Sequence, residues 1–418
     1  MMKRCWAGLV AVLACLTPAA HAANWEQPAR DLAKQIAALH GPGPARLVIR
    51  NQSSLVAGEI PSIRALLEHD LRGLGVVTGG IDSTALIRVT LSEDVRGGLW
   101  VAEVVEGTET RVTMLPVNLG TASTAPGGAG LVVRRTLVIA TAEPVLDAQV
   151  FTVGTLARLV VLERERIVTY VRGSATLSFA SEPGSGWVAD QTFPIAHTRP
   201  YPRDLRGELV AAQDHLFDAY LPGVECSGTN TGAQIAVACT DSDDPWPVGG
   251  TAAGPVGGAA GFPQRVFYNA MRDYFTGVLA PGFGADLPPF YQASDTARPT
   301  GTAMLLNGID GRVTLLESNA LEPVAGVEDW GSDFAVVRSG CGSGEQVLVS
   351  GTGAGEDGDS LRAYEIVGRE AVAVSPPLPV EGAVMAMHAA PDGSSAMVMV
   401  RSDIPQRCEV WSASTLCR

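Results

Sequence analysis

Residues 304–316 read Met-Leu-Leu-Asn-Gly-Ile-Asp-Gly-Arg-Val-Thr-Leu-Leu. Two apolar runs, Met304–Leu306 and Val313–Leu316, flank the turn residues Gly308-Ile309-Asp310-Gly311. Glycine and aspartate tolerate backbone angles that a tight turn needs, so the stretch predicts a β-hairpin. The same unit recurs on both sides. Arg158–Leu162 pairs with Ile167–Val171, and Phe334–Val337 pairs with Gln346–Val349 around a Gly-rich turn at 340–344. Leu361–Ile366 and Ala371–Ser375 follow. Val384–Met387, Ala396–Arg401 and Glu409–Ser412 end the chain, the first two joined through Pro391-Asp392-Gly393. One strand in roughly every ten residues is the rhythm of a sandwich, a barrel or a propeller. A propeller blade takes ~40–50 residues, so residues 131–418 would supply six or seven.

Upstream the pattern changes. Arg30–His40 spaces Leu32, Ile36 and Leu39 on one helical face, and Gly41-Pro42-Gly43-Pro44 stops it. A short strand at Leu47–Ile49 follows. A second helix over Gly58–Arg72 carries a stripe of Ile60, Ile63, Leu66, Leu67 and Leu71. Strands are expected at Ala85–Leu91, Leu99–Val105 and Thr110–Val117. The fold class expected is therefore an α/β N-terminal domain (23–118), a Gly/Ala/Ser/Thr/Pro linker (119–130) and an all-β C-terminal domain (131–418), read as a six- or seven-bladed β-propeller. A Pro/Gly-rich stretch at 241–300, with an aromatic, helix-like piece at Val266–Phe275, reads as an insertion.

Several short motifs resemble those of known propellers. Gly308–Val313 resembles the strand–Asp-Gly–strand signature of quinoprotein-type blades. Trp330–Val337 is similar to the start of FG-GAP/VCBS repeats, and Pro391-Asp392-Gly393 resembles the blade turn of TolB-type propellers. The first domain resembles the small α/β domain that precedes the propeller in periplasmic TolB proteins, or the related CsgG-like domains. Calcium is not carried over, because Glu356-Asp357-Gly358-Asp359 departs from the Asp-x-Asp-x-Asp-Gly spacing of calcium-binding repeats.

The N-terminus reads as an export signal. Lys3 and Arg4 precede the apolar run Trp6–Ala14, and Ala20-His21-Ala22 is a small-residue cleavage site ending a signal of residues 1–22. Val12-Leu13-Ala14-Cys15 offers the alternative of a lipid anchor at Cys15. No segment is long and apolar enough to be transmembrane. The protein is thus expected in the periplasm or outside the cell, or tethered there by lipid. Five cysteines then remain in an oxidising compartment. Cys226 and Cys239 flank a turn and can close a hairpin. Cys408 and Cys417 pair if the chain turns back between them, with Cys341–Cys408 as the rival, and an odd count leaves one thiol over.

Chemistry is sparse. A formal net charge of −14 argues against nucleic acid as a partner. Only Lys3 and Lys34 are lysines, and no phosphate-loop motif or Gly-x-Ser-x-Gly elbow occurs. Asp241, Asp243 and Asp244 form an acidic loop that reads as solvated. His40, His69, His197, His215 and His388 are scattered without metal-ligand spacing, and Asp214-His215 lies in a strand-like stretch. Arg199, Arg203 and Arg206 surround a Pro-bounded turn and are candidates for anion binding, or for an ion-pair network with Asp204 and Glu208. Trp246 leads a local enrichment of aromatics that offers a recognition surface or a packed core. No cofactor, metal or catalytic set is identified. The expected function is a non-enzymatic envelope scaffold binding a protein or polysaccharide. The alternatives are a glycan-active hydrolase or lyase with paired carboxylates, and a calcium-dependent adhesin.

Overall fold

The computed structural model describes residues 25–417 except 54, 56, 79–82, 84, 95–96, 118–130, 174–185, 198–199, 202–204, 233, 249–263, 281–286, 299–300, 318–319, 354–358 and 404–405. The expected signal (1–22) and linker (119–130) lie outside the described residues.

The chain starts with α1 (Glu26–His40), β1 (Gly43–Gln52), α2 (Ile60–Gly73), β2 (Val76–Thr78), β3 (Ala85–Asp94), β4 (Gly97–Glu106) and β5 (Glu109–Val117). The strands form one sheet in the order β2-β1-β3-β4-β5. β1 runs parallel to β2 and β3, as a strand returned by a helical crossover must, while β3, β4 and β5 form an antiparallel meander. The helical stripes explain the packing. Leu32 and Ile36 of α1 and Ile63, Leu67 and Leu71 of α2 are fully buried with Ile87, Leu91 and Trp100 of the sheet. α1 ends at Gly41, whose φ of 77° suits a residue without a Cβ.

The remainder is strand after strand. β6 (Leu131–Thr141) pairs with none of the strands that follow it directly in sequence. β7 (Val145–Val153), β8 (Leu156–Glu163), β9 (Arg166–Arg172) and β10 (Trp187–Pro194) form one four-stranded sheet. β11 (Glu208–Ala211), β12 (Phe217–Leu221), β13 (Val224–Asn230) and β14 (Ile235–Asp241) form a second. A seven-stranded sheet holds β15 (Trp246–Val248), β16 (Gln264–Asn269), β17 (Tyr274–Ala280), β18 (Phe290–Arg298), β19 (Gly301–Gly308), β20 (Val313–Glu317) and β21 (Ala320–Pro323). The fourth holds β22 (Phe334–Arg338), β23 (Glu345–Ser350), β24 (Asp359–Val367), β25 (Glu370–Ala373) and β26 (Leu378–Val380). The fifth is β27 (Ala383–Ala389), β28 (Ala396–Asp403) and β29 (Gln406–Cys417), completed by β6. β6 lies antiparallel to β29, from Leu131 opposite Cys417 to Thr141 opposite Cys408.

Side-chain alternation turns these sheets into a ring. Successive residues of a strand point to opposite faces. Ala335 and Val337 join a core with the fifth sheet, whereas Phe334 and Val336 join one with the seven-stranded sheet. Val398 and Val400 face the fourth sheet, whereas Met397 and Met399 face the first. Val160 and Leu162 face the second sheet, whereas Leu159 and Val161 face the fifth. A last core joins Tyr220 of the second sheet to Trp246, Phe275 and Phe290 of the seven-stranded one. Each sheet therefore packs on the next, and the fifth packs on the first. Strands buried on both faces account for runs such as Ala396–Val400 that are apolar without alternation. The closed cycle supports a β-propeller. Val372 of β25 also joins the N-terminal core, and Arg64 of α2 pairs with Glu370 at 2.8 Å, so the α/β layer rests on the fourth sheet.

Three expectations are corrected. The 241–300 stretch is not an insertion where described, because β15–β18 run through it as part of a sheet. Val266–Phe275 is not helical: Val266 is buried and Phe267 exposed, the period-two pattern of β16, and a turn leads on to β17. Cys408 does not pair with Cys417. Both lie on β29, nine positions apart along one extended strand, a separation of ~30 Å that no disulfide spans. Cys417 instead bonds Cys341, Cys226 bonds Cys239 directly across β13 and β14, and Cys408 is a buried free thiol. Because the Cys341–Cys417 bond closes a loop with a sequence separation of 76, replacing both residues by serine should lower stability by about 4 kcal/mol. Urea denaturation would measure this, and a change below about 1 kcal/mol would contradict it.

Candidate functional site

The first strands of the five sheets, and β18 within the seven-stranded one, converge on one pocket. Gln149 of β7, Glu208 of β11, Pro247 of β15, Gln292 of β18, Phe334 of β22 and His388 of β27 all line it. Residues from every sheet of the ring thus meet at its axis. Asp147 sits beside them, fully buried, and its carboxylate accepts the Leu209 and Ala148 N–H groups, both at 2.6 Å.

One sequence-predicted candidate belongs here. Arg206 precedes β11 and reaches across the axis. Its Nη1 donates to the Tyr291 carbonyl and, at 3.4 Å, to Gln292 Oε1. Its guanidinium also lies 3.5 Å from Asp273 and 3.8 Å from the buried Asp333. Of the expected partners, Asp204 lies outside the described residues, Glu208 acts on Arg206 through its charge, and carboxylates from other sheets join it. Arg199 and Arg203 lie outside the described residues. Trp246 is not a surface anchor. It is 5% exposed, stacked on Tyr268 at 4.6 Å with Phe275 edge-on at 6.0 Å, in the core between two sheets.

Burial dominates the electrostatics. It pushes the Glu208 carboxyl up to about 7, against the pull of Arg206. It raises Asp147 and Asp333 as well, the latter again opposed by Arg206. It drives His388 down to about 3, with Arg206 adding to the effect, so this ring is neutral. Burial would also weaken the Arg206 cation, but Asp333 and Asp273 outweigh it.

Gln149, 3% exposed, donates Nε2 to the Ala389 carbonyl at 3.3 Å, while its Oε1 has no hydrogen-bond partner. Gln292 Nε2 donates to the Met387 carbonyl at 3.3 Å. Sequence reasoning missed Gln149, Gln292 and Asp333, and named Glu208 only as an ion-pair partner of the arginine turn. Their shared signal is faint: each is a polar residue in or beside a strand with buried neighbours, which local sequence does not distinguish from an ordinary strand position.

The other candidates are structural. His215 is not on a strand but in the bend before β12, where Asp214 and Asp218 both sit 2.6 Å from its ring nitrogens. Burial, which disfavours the cation, is outweighed by those hydrogen bonds, and His215 is raised. Asp359 accepts the Val384 N–H at 3.2 Å and ties β24 to β27. Asp241, Asp243 and Asp244 do not line the axial pocket. Among the described residues no group of three or more His, Cys, Asp or Glu is placed to hold a metal ion. No helix of the described residues is long and apolar enough to cross a membrane.

Asp295 of β18 yields a pH prediction. Burial, then the charge of Glu345, raises it to about 8. The folded chain holds this proton up to about pH 8, whereas the unfolded chain releases it near 4. Folding therefore binds more protons, and stability falls as pH rises between those values, by on the order of 1 kcal/mol per unit. Asp295→Asn should flatten that slope in urea titrations at pH 5 to 8. An unchanged slope would contradict the assignment.

No family model matches the chain, and no curated protein matches it. Solved structures do. The crystal structure of TolB from Acinetobacter baumannii is 10% identical, covering 90% of this chain and 95% of that one, with a TM-score of 0.21. The RRP9 WD40 repeats are 11% identical over 66% of this chain and 100% of theirs, with a TM-score of 0.33. A chain of the mitotic checkpoint complex is 9% identical over 75% and 83%, also at 0.33. Superpositions this loose add nothing to the architecture, which stands on the strand pairing and the closed cycle of cores.

Proposed function

We propose that the chain is an exported, non-enzymatic binding scaffold of the cell envelope, with an α/β domain at 23–118, a linker at 119–130 and a propeller at 131–418. The propeller reads as six-bladed. β17 and β18 pair only at Phe275 and Phe290, and both β15 and β18 reach the axis, so the seven-stranded sheet counts as two blades. The single observation carrying the reading is the closed cycle of cores. A closed ring has no free sheet edge at its seam and presents two rigid loop faces around a polar axis, a platform suited to recognition.

Export is supported by the signal pattern at 1–22 and by two disulfides. The partner is an envelope protein, with a polysaccharide as the alternative. A glycan-cleaving role gains nothing from the acidic loop at 241–244, which lies off the axial pocket.

The test is to immobilise the mature protein and pass envelope extract over it, with free protein as competitor. Reproducible retention of one partner, released by the competitor, is expected. Retention of none across replicates would overturn the reading. N-terminal sequencing of the exported chain decides its start: Ala23 for plain cleavage, a blocked Cys15 for lipidation.

A further inference from the structure

We propose that the axial pocket receives a primary ammonium group on an alkyl stem. The assignment uses the pocket of the scaffold reading, but titration of the isolated protein and capture from envelope extract fail separately.

Among the described residues the walls supply more acceptors than Arg206 engages. Glu208 lines the pocket and has no hydrogen-bond partner among the described residues. Gln149 is 97% buried by its 3% exposure, lines the same pocket, and leaves Oε1 unpartnered. A buried acceptor without a donor costs about 1–3 kcal/mol, which a donor-bearing ligand recovers. Among the described residues, the acids Asp147, Glu208, Asp273 and Asp333 stand around the pocket with one guanidinium, that of Arg206, and a neutral His388; burial raises Asp147, Glu208 and Asp333, and an entering cation would favour their ionised forms. Arg206 is already engaged by Asp273, Asp333 and the Tyr291 carbonyl, so it does not make the site an anion receptor.

Size and lining narrow the ligand further. The cavity is about 50 Å³, room for a few small atoms. That suits a terminal group entering from the open side. Leu209, Val210, Pro247 and Phe334 give the same pocket an apolar wall for methylene groups. An alkylammonium joins both features: a compact head with three N–H donors and an apolar stem. The chain cannot fill the site from its described residues, since Lys34 lies on α1 and pairs with Asp31 at 3.3 Å. The group comes from outside, either as a free amine or as a lysine of a partner.

The experiment is calorimetric titration of the mature protein at fixed ionic strength with n-butylammonium, N-acetyl-lysine-methylamide, its Nζ-acetylated form, and tetramethylammonium. Saturable binding of n-butylammonium is expected, with none by tetramethylammonium, which has no N–H donor, or by the acetylated form. Glu208→Gln should weaken n-butylammonium at least tenfold, with the fold confirmed by circular dichroism. Should that variant not fold, the comparison among ligands on the wild-type protein decides. Binding of the lysine derivative as well identifies a partner's lysine as the source, and binding of n-butylammonium alone identifies a free amine. No saturable n-butylammonium binding, or equal binding of tetramethylammonium, overturns the proposal.

Discussion

A chain truncated after Asp403, lacking β29, is expected to lose cooperative folding of the ring. β29 lies between β28 and β6 and pairs with both along most of its length. Without it those strands become bare edges, each a row of unsatisfied backbone groups. Fully buried Val410 and Ala413 leave two different inter-sheet cores, and Cys341 loses its disulfide partner. Each large buried aliphatic contributes about 1.5–3 kcal/mol and the disulfide about 4. Together with a lost strand this meets or exceeds the roughly 5–15 kcal/mol that holds a domain folded. Near-ultraviolet circular dichroism and thermal melting would show it. A cooperative melt within a few degrees of the intact protein would mean that the ring does not depend on its seam. The Cys341/Cys417 serine variant separates the disulfide's share.

Arg206→Ala should cost about 3–5 kcal/mol at pH 7, because it strands a buried carboxylate. Asp333 is 3% exposed and faces Arg206 at 3.8 Å. Asp333 already titrates above the ordinary carboxylate range because of burial, and Arg206 is what pulls it back. With the arginine gone, Asp333 folds most readily as the neutral acid. The penalty should therefore shrink as pH falls toward 5, where a protonated carboxyl needs no counter-charge. Arg206→Lys keeps the charge but loses the fork that reaches Tyr291 and Gln292, and should lie between. Urea denaturation at pH 7 and 5 tests both. A loss below 1 kcal/mol at pH 7, or a larger loss at pH 5, would contradict the buried-pair account.

How far the chain could be read from its residues depended on range. Both N-terminal helices were legible because their stripes repeat every three to four residues and glycines mark their ends. Hairpins such as Met304–Leu316 were legible because the Asp-Gly turn and the apolar arms lie within a dozen residues. β6 was missed. Arg134 and Arg135 interrupt its apolar pattern, and the partner that makes it a strand is at the far end of the chain. β13 and β14 were legible only through their cysteines: the Cys226–Cys239 hairpin was expected, but ECSGTN and IAVACTD are too small and polar to show as strands, and their stability comes from that cross-strand disulfide and from packing on the first sheet. The axial site was the least legible part. Gln149, Glu208, Gln292, Asp333 and His388 come from five separate stretches, and only closure of the ring brings them together. Arg206 could be singled out from its arginine-rich turn, but its partners Asp273 and Asp333 could not. Trp246 showed the converse error, since an aromatic cluster in a Pro/Gly-rich stretch reads the same whether it coats a surface or fills a core.

Ring closure is tested most directly by a cross-link across the seam. Thr136 of β6 and Ser412 of β29 are direct partners, and neither belongs to an inter-sheet core. Directly opposite Cβ atoms in such a pair lie ~4.5–5.5 Å apart, close enough for a disulfide after a small adjustment. Thr136→Cys with Ser412→Cys, in a Cys408→Ala background, should form that bond nearly completely under mild oxidation, and peptide mapping should join the two segments. Two free thiols in a chain with native circular dichroism would show that its ends do not meet.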